Sequence, residues 1–572
     1  MAETEDLVRF HAGGLDWTVE RPFAEAVRAQ IASCVNDVPT HPGVEQIKRN
    51  MVRAVYRVPF DLEPGPQVPD IGPRVIMKRY AVGGLVDWVK YCFKPSRAAA
   101  EWHVGRGLTA AGVPTAVPLA MAELRRGGVL RDAALLTREI PDAVHLNAFV
   151  EAHLQGSARA DELRGQAYAR LAQIVRRMHD AGFVHNDLHG GNILFTGAPE
   201  APDIRIIDLH SVVGPGRSSE SVRWFDLVKL LHSMLTCSTP DERLDLIRAY
   251  AVAGDSPKRE LERGLANGSL APRLEKRLAA MEVKRVRSRT VRCLDRSSRF
   301  QISRVGGRRV HHLRELEPAA IRAAVEAHEN TMFEGEPGEI LKDARRSALT
   351  RQLFAADPSR PTVIVKEFLP GGVLDRVKNL LRRPRAVSAW LGGNGLLVRA
   401  FDVAEPLALV RGGRLSGSWF LLMEDLGERS RLDLVALESF AGELDAEQRA
   451  AKHALLRAAG DVLQRLHARG VYHGDLKAVN LFVRATAQGP SIALADYDRV
   501  EFGVQVSDRR RVKNLGQLSA SLAICITLAD RLRFFRHYAA NEERVLDTWK
   551  EWFHGVVTAC RRKIVVEWEP IE

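Results

Sequence analysis

The octapeptide His185-Asn186-Asp187-Leu188-His189-Gly190-Gly191-Asn192 has a counterpart further along the same chain, His473-Gly474-Asp475-Leu476-Lys477-Ala478-Val479-Asn480. Both read H-x-D-x-x-x-x-N. Their Asp residues stand 288 positions apart (475 − 187), and the same interval separates Asn192 from Asn480, Asp208 from Asp496 and Lys78 from Lys366. It also separates Trp102 from Trp390 and Tyr250 from Tyr538. Solenoid repeats recur every ~20–50 residues, so a period this long means a duplicated domain. The match runs from Arg9-Phe10 and Arg299-Phe300 to Arg243-Leu244 and Arg531-Leu532, nearly the whole of the 572 residues.

H-x-D-x-x-x-x-N is the catalytic loop of kinase-type phosphotransferases, in which the Asp orients the attacking hydroxyl and the Asn holds a metal ion. On that reading Asp187 and Asp475 are the catalytic carboxylates, and Asn192 and Asn480 are metal ligands. His185 and His473 are read as scaffolding. Upstream, Val75-Ile76-Met77-Lys78 and Val363-Ile364-Val365-Lys366 have the branched, alternating character of strands. One strand-end Lys alone is an ordinary surface residue. Its constant distance of 109 residues to the loop Asp (187 − 78 and 475 − 366) instead favours the Lys that pairs with the α- and β-phosphates of ATP. Downstream, the strands Ile204–Asp208 and Ile492–Asp496 end in a second acidic residue, 21 positions after the loop Asp in each copy (208 − 187 and 496 − 475). Asp208 and Asp496 are therefore the expected partners of the two Asn residues around Mg²⁺, a hard ion that prefers oxygen ligands. Lys477 is placed to touch the transferred phosphate.

The copies differ at one chemically important position. Arg97-Ala98-Ala99-Ala100-Glu101-Trp102 has helix-forming composition and offers Glu101 as an ion-pair partner for Lys78. The aligned Arg385-Ala386-Val387-Ser388-Ala389-Trp390 puts Ala389 there instead. Asn514 likewise replaces Asp226.

Absent parts narrow the acceptor. No G-x-G-x-x-G loop precedes either Lys; the basic segments Lys48–Arg53 and Lys342–Arg346 stand in its place. Neither loop has the Arg of H-R-D. Only 18 residues separate Asp208 from Asp226 and Asp496 from Asn514 (226 − 208 and 514 − 496), a short platform for docking a polypeptide. A small or glycan hydroxyl is the expected acceptor.

Composition bounds the rest. The 46% hydrophobic content is that of globular protein, and the six cysteines are scattered without a C-x-x-C pair, as expected of reduced thiols. The acidic start, Met1 to Asp6, lacks the order of a signal peptide. The longest apolar stretch, Leu518 to Leu528, is too short to span a bilayer and is expected to be a buried helix. A net charge of +12 suits an anionic partner such as a phosphorylated glycolipid or a phospholipid surface. No RNA-binding motif accompanies the charge, so no nucleic acid is expected.

These residues resemble the lipopolysaccharide core kinases that phosphorylate heptose or 3-deoxy-D-manno-octulosonic acid (Kdo). The resemblance rests on Lys78 and Lys366, the two H-x-D-x-x-x-x-N loops, and the triplets Asp208-Leu209-His210 and Asp496-Tyr497-Asp498. It rests further on the Gly83-Gly84 and Gly371-Gly372 turns and on the closing Arg-Leu-x-x-x-Arg-x-Tyr helices. It implies ATP and Mg²⁺ as cofactors and core sugar on lipid A as acceptor. A cytoplasmic protein with peripheral contact at the inner membrane follows, and Val86–Lys94, which mixes aromatics with Lys, is the segment for such contact. The implied fold is α+β: two tandem protein-kinase-like domains, each with a β-rich N-lobe and a helical C-lobe. Their expected bounds are 1–265 and 293–572, joined by a linker over 266–292. Two active copies, one active copy beside a pseudokinase in the second half, or a small-molecule phosphotransferase of the aminoglycoside or choline type all satisfy the motifs.

Overall fold

The computed structural model describes residues 6–32, 35–49, 53–60, 73–82, 84–253, 259–335, 338–354, 357–369, 383–411, 418–427, 430–487, 489–503, 505–522, 525–540 and 542–564. The Gly371-Gly372 turn, Gly83, Cys34 and most of the basic run Lys378–Arg385 lie outside the described residues. The chain divides into two compact units, Met1–Glu282 and Val283–Glu572.

The first unit opens with a seven-stranded antiparallel sheet. Its strands are β1 (Leu7–Ala12), β2 (Leu15–Glu20), β3 (Glu45–Arg49), β4 (Arg53–Pro59), β5 (Arg74–Ala81), β6 (Pro118–Arg126) and β7 (Val129–Arg138). They lie in the order β1-β2-β6-β7-β5-β4-β3. The two-residue period of β5 decides what each face carries. Val75 and Met77 are buried in one core with Leu119, Ala134 and Leu136. Ile76 and Lys78 face the opposite side, where Lys78 lies between Val55 of β4 and Leu135 of β7. Tyr80, two residues beyond Lys78, shares that side.

Helix Arg97–Ala110 packs against β6 and β7 and starts on Ser96, whose hydroxyl accepts from the Ala99 amide. Most of the remaining residues of this unit are helical. The long helix Ala158–Asp180, capped by Ser157, buries Leu163, Tyr168, Leu171 and Val175 on its inner stripe and packs against Pro240–Val252. Fully burying each such aliphatic side chain contributes about 2 kcal/mol. Within the segment expected as linker, residues 270–291 form a helix, Leu270–Val291, and its Leu270, Leu274 and Leu278 join this same core.

The second unit repeats the plan. Its seven-stranded sheet runs Phe300–Val305, Arg308–Leu313, Pro406–Arg411, Trp419–Glu424, Thr362–Phe368, Ser347–Leu353 and Glu339–Ala344 in spatial order. Lys366 sits between Leu349 and Leu421, the same register as Lys78. A 23-residue helix, Ala446–Ala468, replaces Ala158–Asp180, with Asp445 and Gln448 forming a capping box. The apolar stretch Leu518 to Leu528 is not one helix. Helix Asp508–Ser521 ends inside it, and Thr527 caps the next helix, Leu528–Ala539, by accepting from the Asp530 amide.

One buried triad recurs at the same place in both units. His179 Nδ1 meets the Tyr250 hydroxyl at 2.8 Å, and its Nε2 lies 3.4 Å from Asp226. His467 meets Tyr538 at 2.9 Å and the Asn514 side-chain oxygen at 3.2 Å. Asp226 then accepts from the His185 amide at 2.6 Å, and Asn514 donates to the His473 carbonyl at 2.6 Å. Each triad thus anchors the start of an H-x-D-x-x-x-x-N loop.

Burial pushes the His467 imidazole down to about 4. The unfolded ring titrates near 6.5 and so takes up a proton before the folded one does. Its contribution is therefore complete above pH ~6.5 and is lost as pH falls towards 4, about 3 kcal/mol over the window. Urea unfolding of the second unit, followed by hydrogen exchange in Ala446–Ala468, should show stability falling between pH 6.5 and 4.5. His467→Gln should flatten that dependence; an unchanged slope in the variant would contradict the assignment.

Candidate functional site

The Lys78 side chain is 13% exposed and its ammonium donates to the Glu101 carboxylate, itself 3% exposed. The Tyr80 hydroxyl donates to the other Glu101 oxygen. Burial and the adjacent Glu101 charge push the Tyr80 phenol well up, so it remains a donor. Strand period and helix position together create this contact: Lys78 and Tyr80 are i and i+2 on β5, and Glu101 is one turn into Arg97–Ala110.

Asp208 follows strand Asp203–Ile206 in a left-handed backbone conformation (φ 64°), which turns the chain and presents its carboxylate to the same space. An L-residue seldom adopts that conformation, and its cost persists only where the surroundings impose it. Arg53 binds Asp208 with both terminal nitrogens, at 2.6 and 2.7 Å, and His210 Nδ1 lies 2.7 Å from the same carboxylate. Burial opposes ionisation of Asp208, but the bonds from His210 and Arg53 and the charge of Lys78 outweigh it. They hold the carboxyl far below the usual range.

Asn192 donates from its side-chain nitrogen to the Asp187 carbonyl at 2.9 Å, which fixes the amide so that its oxygen is the end left for another partner. The Asp187 side chain is 47% exposed, with Lys229 Nζ at 3.6 Å and His189 Nε2 at 3.8 Å. Lys229 also donates to the Asn186 carbonyl. His185 Nε2 lies 3.1 Å from the Ile207 carbonyl, tying the loop to the strand that leads to Asp208. Lys78, Asp187, Asn192 and Asp208 all line one cavity of about 850 Å³. Its charged lining is mostly cationic: Lys48, Arg53, Arg57, Lys78, Arg97 and Arg138 against Glu139, Asp187 and Asp208.

The second unit brings Lys366, Asn480 and Asp496 to a cavity of about 250 Å³. Asp475 and Lys477 are not among its lining residues; the two side chains face each other at 3.8 Å. Asn480 donates to the Asp475 carbonyl at 2.9 Å, and Asp496 repeats the left-handed turn (φ 52°). The environment of the Lys differs. Ala389 replaces Glu101, the partner of Lys78, and Phe368 replaces Tyr80, whose hydroxyl bonds Glu101. Lys366, 7% exposed, donates to Asp496 at 2.5 Å instead.

Three features of the first site were given no role from the sequence, where Arg53 stood only as the end of a basic segment. Tyr80 is one; its pairing with Glu101 is legible from the joint change to Phe368 and Ala389. Arg53 is another, and the corresponding position of the second sheet is Ser347, which leaves no repeat to flag it. The third is the hairpin anchor Arg57, paired with Glu139 and Glu45, which recurs as Arg351 with Asp425 and Glu339. Of the segment Val86–Lys94, Phe93 is 86% exposed and Val89 61% exposed, while Trp88 is half-buried under Arg131. The side chains of Val86 and Asp87 lie outside the described residues. Among the described residues no helix is long and apolar enough to cross a membrane.

The sequence model of the Lipopolysaccharide kinase (Kdo/WaaP) family matches residues 82–250 and again 381–538, together more than half of the chain. The chain belongs to that family and carries its characteristic region twice. It is 29% identical over 147 residues to the 3-deoxy-D-manno-octulosonic acid kinase of Haemophilus influenzae strain 86-028NP, an alignment covering 24% of this chain and 56% of that enzyme. It is 30% identical over 165 residues to the enzyme of that name from Xanthomonas oryzae pv. oryzae strain PXO99A, covering 28% and 61%. With the lipopolysaccharide core heptose(I) kinase WaaP of Escherichia coli K12 it shares 26% over 199 residues, covering 34% and 70%. The chain thus spans little more than half the length of the Kdo kinases that it matches. A solved structure, WaaP in complex with acyl carrier protein, aligns at 22% identity over 46% of this chain and 98% of that one, with a TM-score of 0.34.

Removing one member of a buried pair leaves the other charge uncompensated. Glu101→Ala should therefore lower the stability of the first unit by about 3 kcal/mol, read as faster hydrogen exchange across Arg74–Ala81 during urea unfolding. Unaltered exchange would mean that Lys78 does not depend on Glu101.

Proposed function

We propose that the first unit transfers the terminal phosphoryl group of ATP to a hydroxyl of heptose or Kdo in the lipopolysaccharide inner core. The observation that carries this reading is the convergence of Lys78, Asp187, Asn192 and Asp208 on one cationic cavity. Each unit is read as a protein-kinase-like domain, with the seven-stranded sheet as N-lobe and the helices as C-lobe. The sequence-expected bounds, 1–265 and 293–572 with a linker over 266–292, are kept for the two domains.

In this reading Lys78, steadied by Glu101, binds the α- and β-phosphates, and Asp187 accepts a hydrogen bond from the sugar hydroxyl and orients it. Asn192 and Asp208 would hold Mg²⁺. The donor set fits the ion: a carboxylate and an amide oxygen are hard ligands, and the remainder would come from nucleotide phosphates and water. Bound there, the ion supplies charge stabilisation for the transferring group. Arg53 must release Asp208 for that role, and its guanidinium suits a phosphate as the alternative partner. Basic residues around the cavity and the exposed Val89 and Phe93 on a Lys-bearing helix support a lipid-linked anionic acceptor at the cytoplasmic face of the inner membrane.

The second unit is read as a nucleotide- or acceptor-binding copy with little turnover. Ala389, Phe368 and the smaller cavity favour this, since among the described residues the one carboxylate that pairs with Lys366 is the Asp496 required for the metal. Retention of Lys366, Asp475, Lys477, Asn480 and Asp496 favours a second reading, in which Asp475 serves its own transfer and Asn480 and Asp496 hold its Mg²⁺.

Mass spectrometry of core oligosaccharide from cells carrying single variants tests the assignment. Asp187→Asn should reduce phosphate incorporation roughly a hundredfold or more, whereas Asp475→Asn should leave it close to wild type. Loss in Asp475→Asn with normal incorporation in Asp187→Asn would overturn it.

A further inference from the structure

Arg97 and Arg385 begin equivalent helices, Arg97–Ala110 and Arg385–Val398, but their partners differ. Arg385 donates through Nε and Nη2 to Asp498, at 2.9 and 2.5 Å, and the Asp498 side chain is 3% exposed. Asp498 lies two residues after Asp496. The guanidinium of the second unit is thus neutralised by a carboxylate of its own chain.

In the first unit the position of Asp498 is held by His210. That imidazole is turned to Asp208, with its other nitrogen 3.2 Å from the Ser211 hydroxyl. It offers no carboxylate to the neighbouring helix. Arg97 has no hydrogen-bond or ion-pair partner among the described residues, and its side chain lines the cavity together with Asp187 and Asp208. The first unit has the Arg without the internal anion.

We infer that Arg97 is a specificity-determining residue that binds a carboxylate or phosphate monoester of the acceptor, in the place that Asp498 fills from within the chain in the second unit. The inference rests on the phosphotransfer reading of this cavity. A planar guanidinium presents a fork of donors that matches both oxyanions and binds them in a fixed orientation. An acceptor held this way brings its hydroxyl towards Asp187 in one pose. The second unit, with Arg385 already satisfied, imposes no such requirement on what it binds.

Calorimetric titration of inorganic phosphate into the full chain, saturated with Mg²⁺ and a non-hydrolysable ATP analogue, tests the site. Arg97→Ala should weaken phosphate binding roughly tenfold or more, and Arg97→Lys by less, because hydrogen bonds to charged groups are among the stronger ones. Arg385→Ala should leave the isotherm as it is. Asp498→His should add a second, Arg385-dependent site, a gain that does not depend on the fate of Arg97 variants. Phosphate binding indifferent to Arg97→Ala would overturn the proposal. So would Arg97-dependent binding that disappears when the nucleotide analogue is added, since the oxyanion would then be the nucleotide's own. In transfer to core oligosaccharide, Arg97→Ala should raise KM for the acceptor by a similar factor with KM for ATP unchanged; the opposite pattern overturns the acceptor assignment. Absence of transfer in every variant, with phosphate binding still tracking Arg97, would sink the phosphotransfer reading and leave the anion site standing.

Discussion

An ammonium group taken out of water must meet a carboxylate, or the site that holds it will not form. Lys78 and Lys366 occupy the same register on an interior strand of equivalent sheets, and each is almost enclosed. The first unit satisfies its Lys with Glu101, which Tyr80 holds from the other side. That leaves Asp208 to Arg53 and His210, so Lys78 and Asp208 line one cavity with the loop Asp while each is held by a different partner. The second unit has lost Glu101 and Tyr80 together, and its Lys draws Asp496 across instead. These two differences accompany a change in which carboxylate is committed to the Lys.

The duplication makes that difference readable. Both units keep the sheet order, the capped 23-residue helix, the His–Tyr triad and the left-handed Asp. Several differences fall around the cavity: Glu101 to Ala389, Tyr80 to Phe368, Arg53 to Ser347, His189 to Lys477 and His210 to Asp498. Changed cavity contacts on a shared fold are what divergence of substrate or of turnover would leave behind.

Residues whose spacing recurs in both copies were legible before the structure. The loops, the strand Lys and the second Asp keep fixed spacings because strand and helix lengths between them are fixed, and the Glu101–Lys78 pair follows from a helix placed beside a strand. Contacts set by hairpin geometry were not legible. Arg53 reaches Asp208 across 155 residues, and nothing in the pattern of β4 distinguishes it from the other basic residues there. The apolar run Leu518 to Leu528 misled because hydrophobicity alone carries no helix stop, whereas Thr527 with Asp530 does. Within the segment expected as linker, Leu270, Leu274 and Leu278 recur at helical spacing and bury one face of the helix there.

The central claim is that the four side chains in the first unit surround nucleotide-bound metal. Diffraction from crystals of the full chain grown with Mn²⁺ and a non-hydrolysable ATP analogue tests it most directly, through the anomalous signal of the ion. The account predicts a peak bounded by Asn192 and Asp208, with the nucleotide phosphates against Lys78 and Arg53 withdrawn from Asp208. Nucleotide bound elsewhere, or a cavity whose Arg53–Asp208 pair persists with metal and nucleotide in excess, would contradict it.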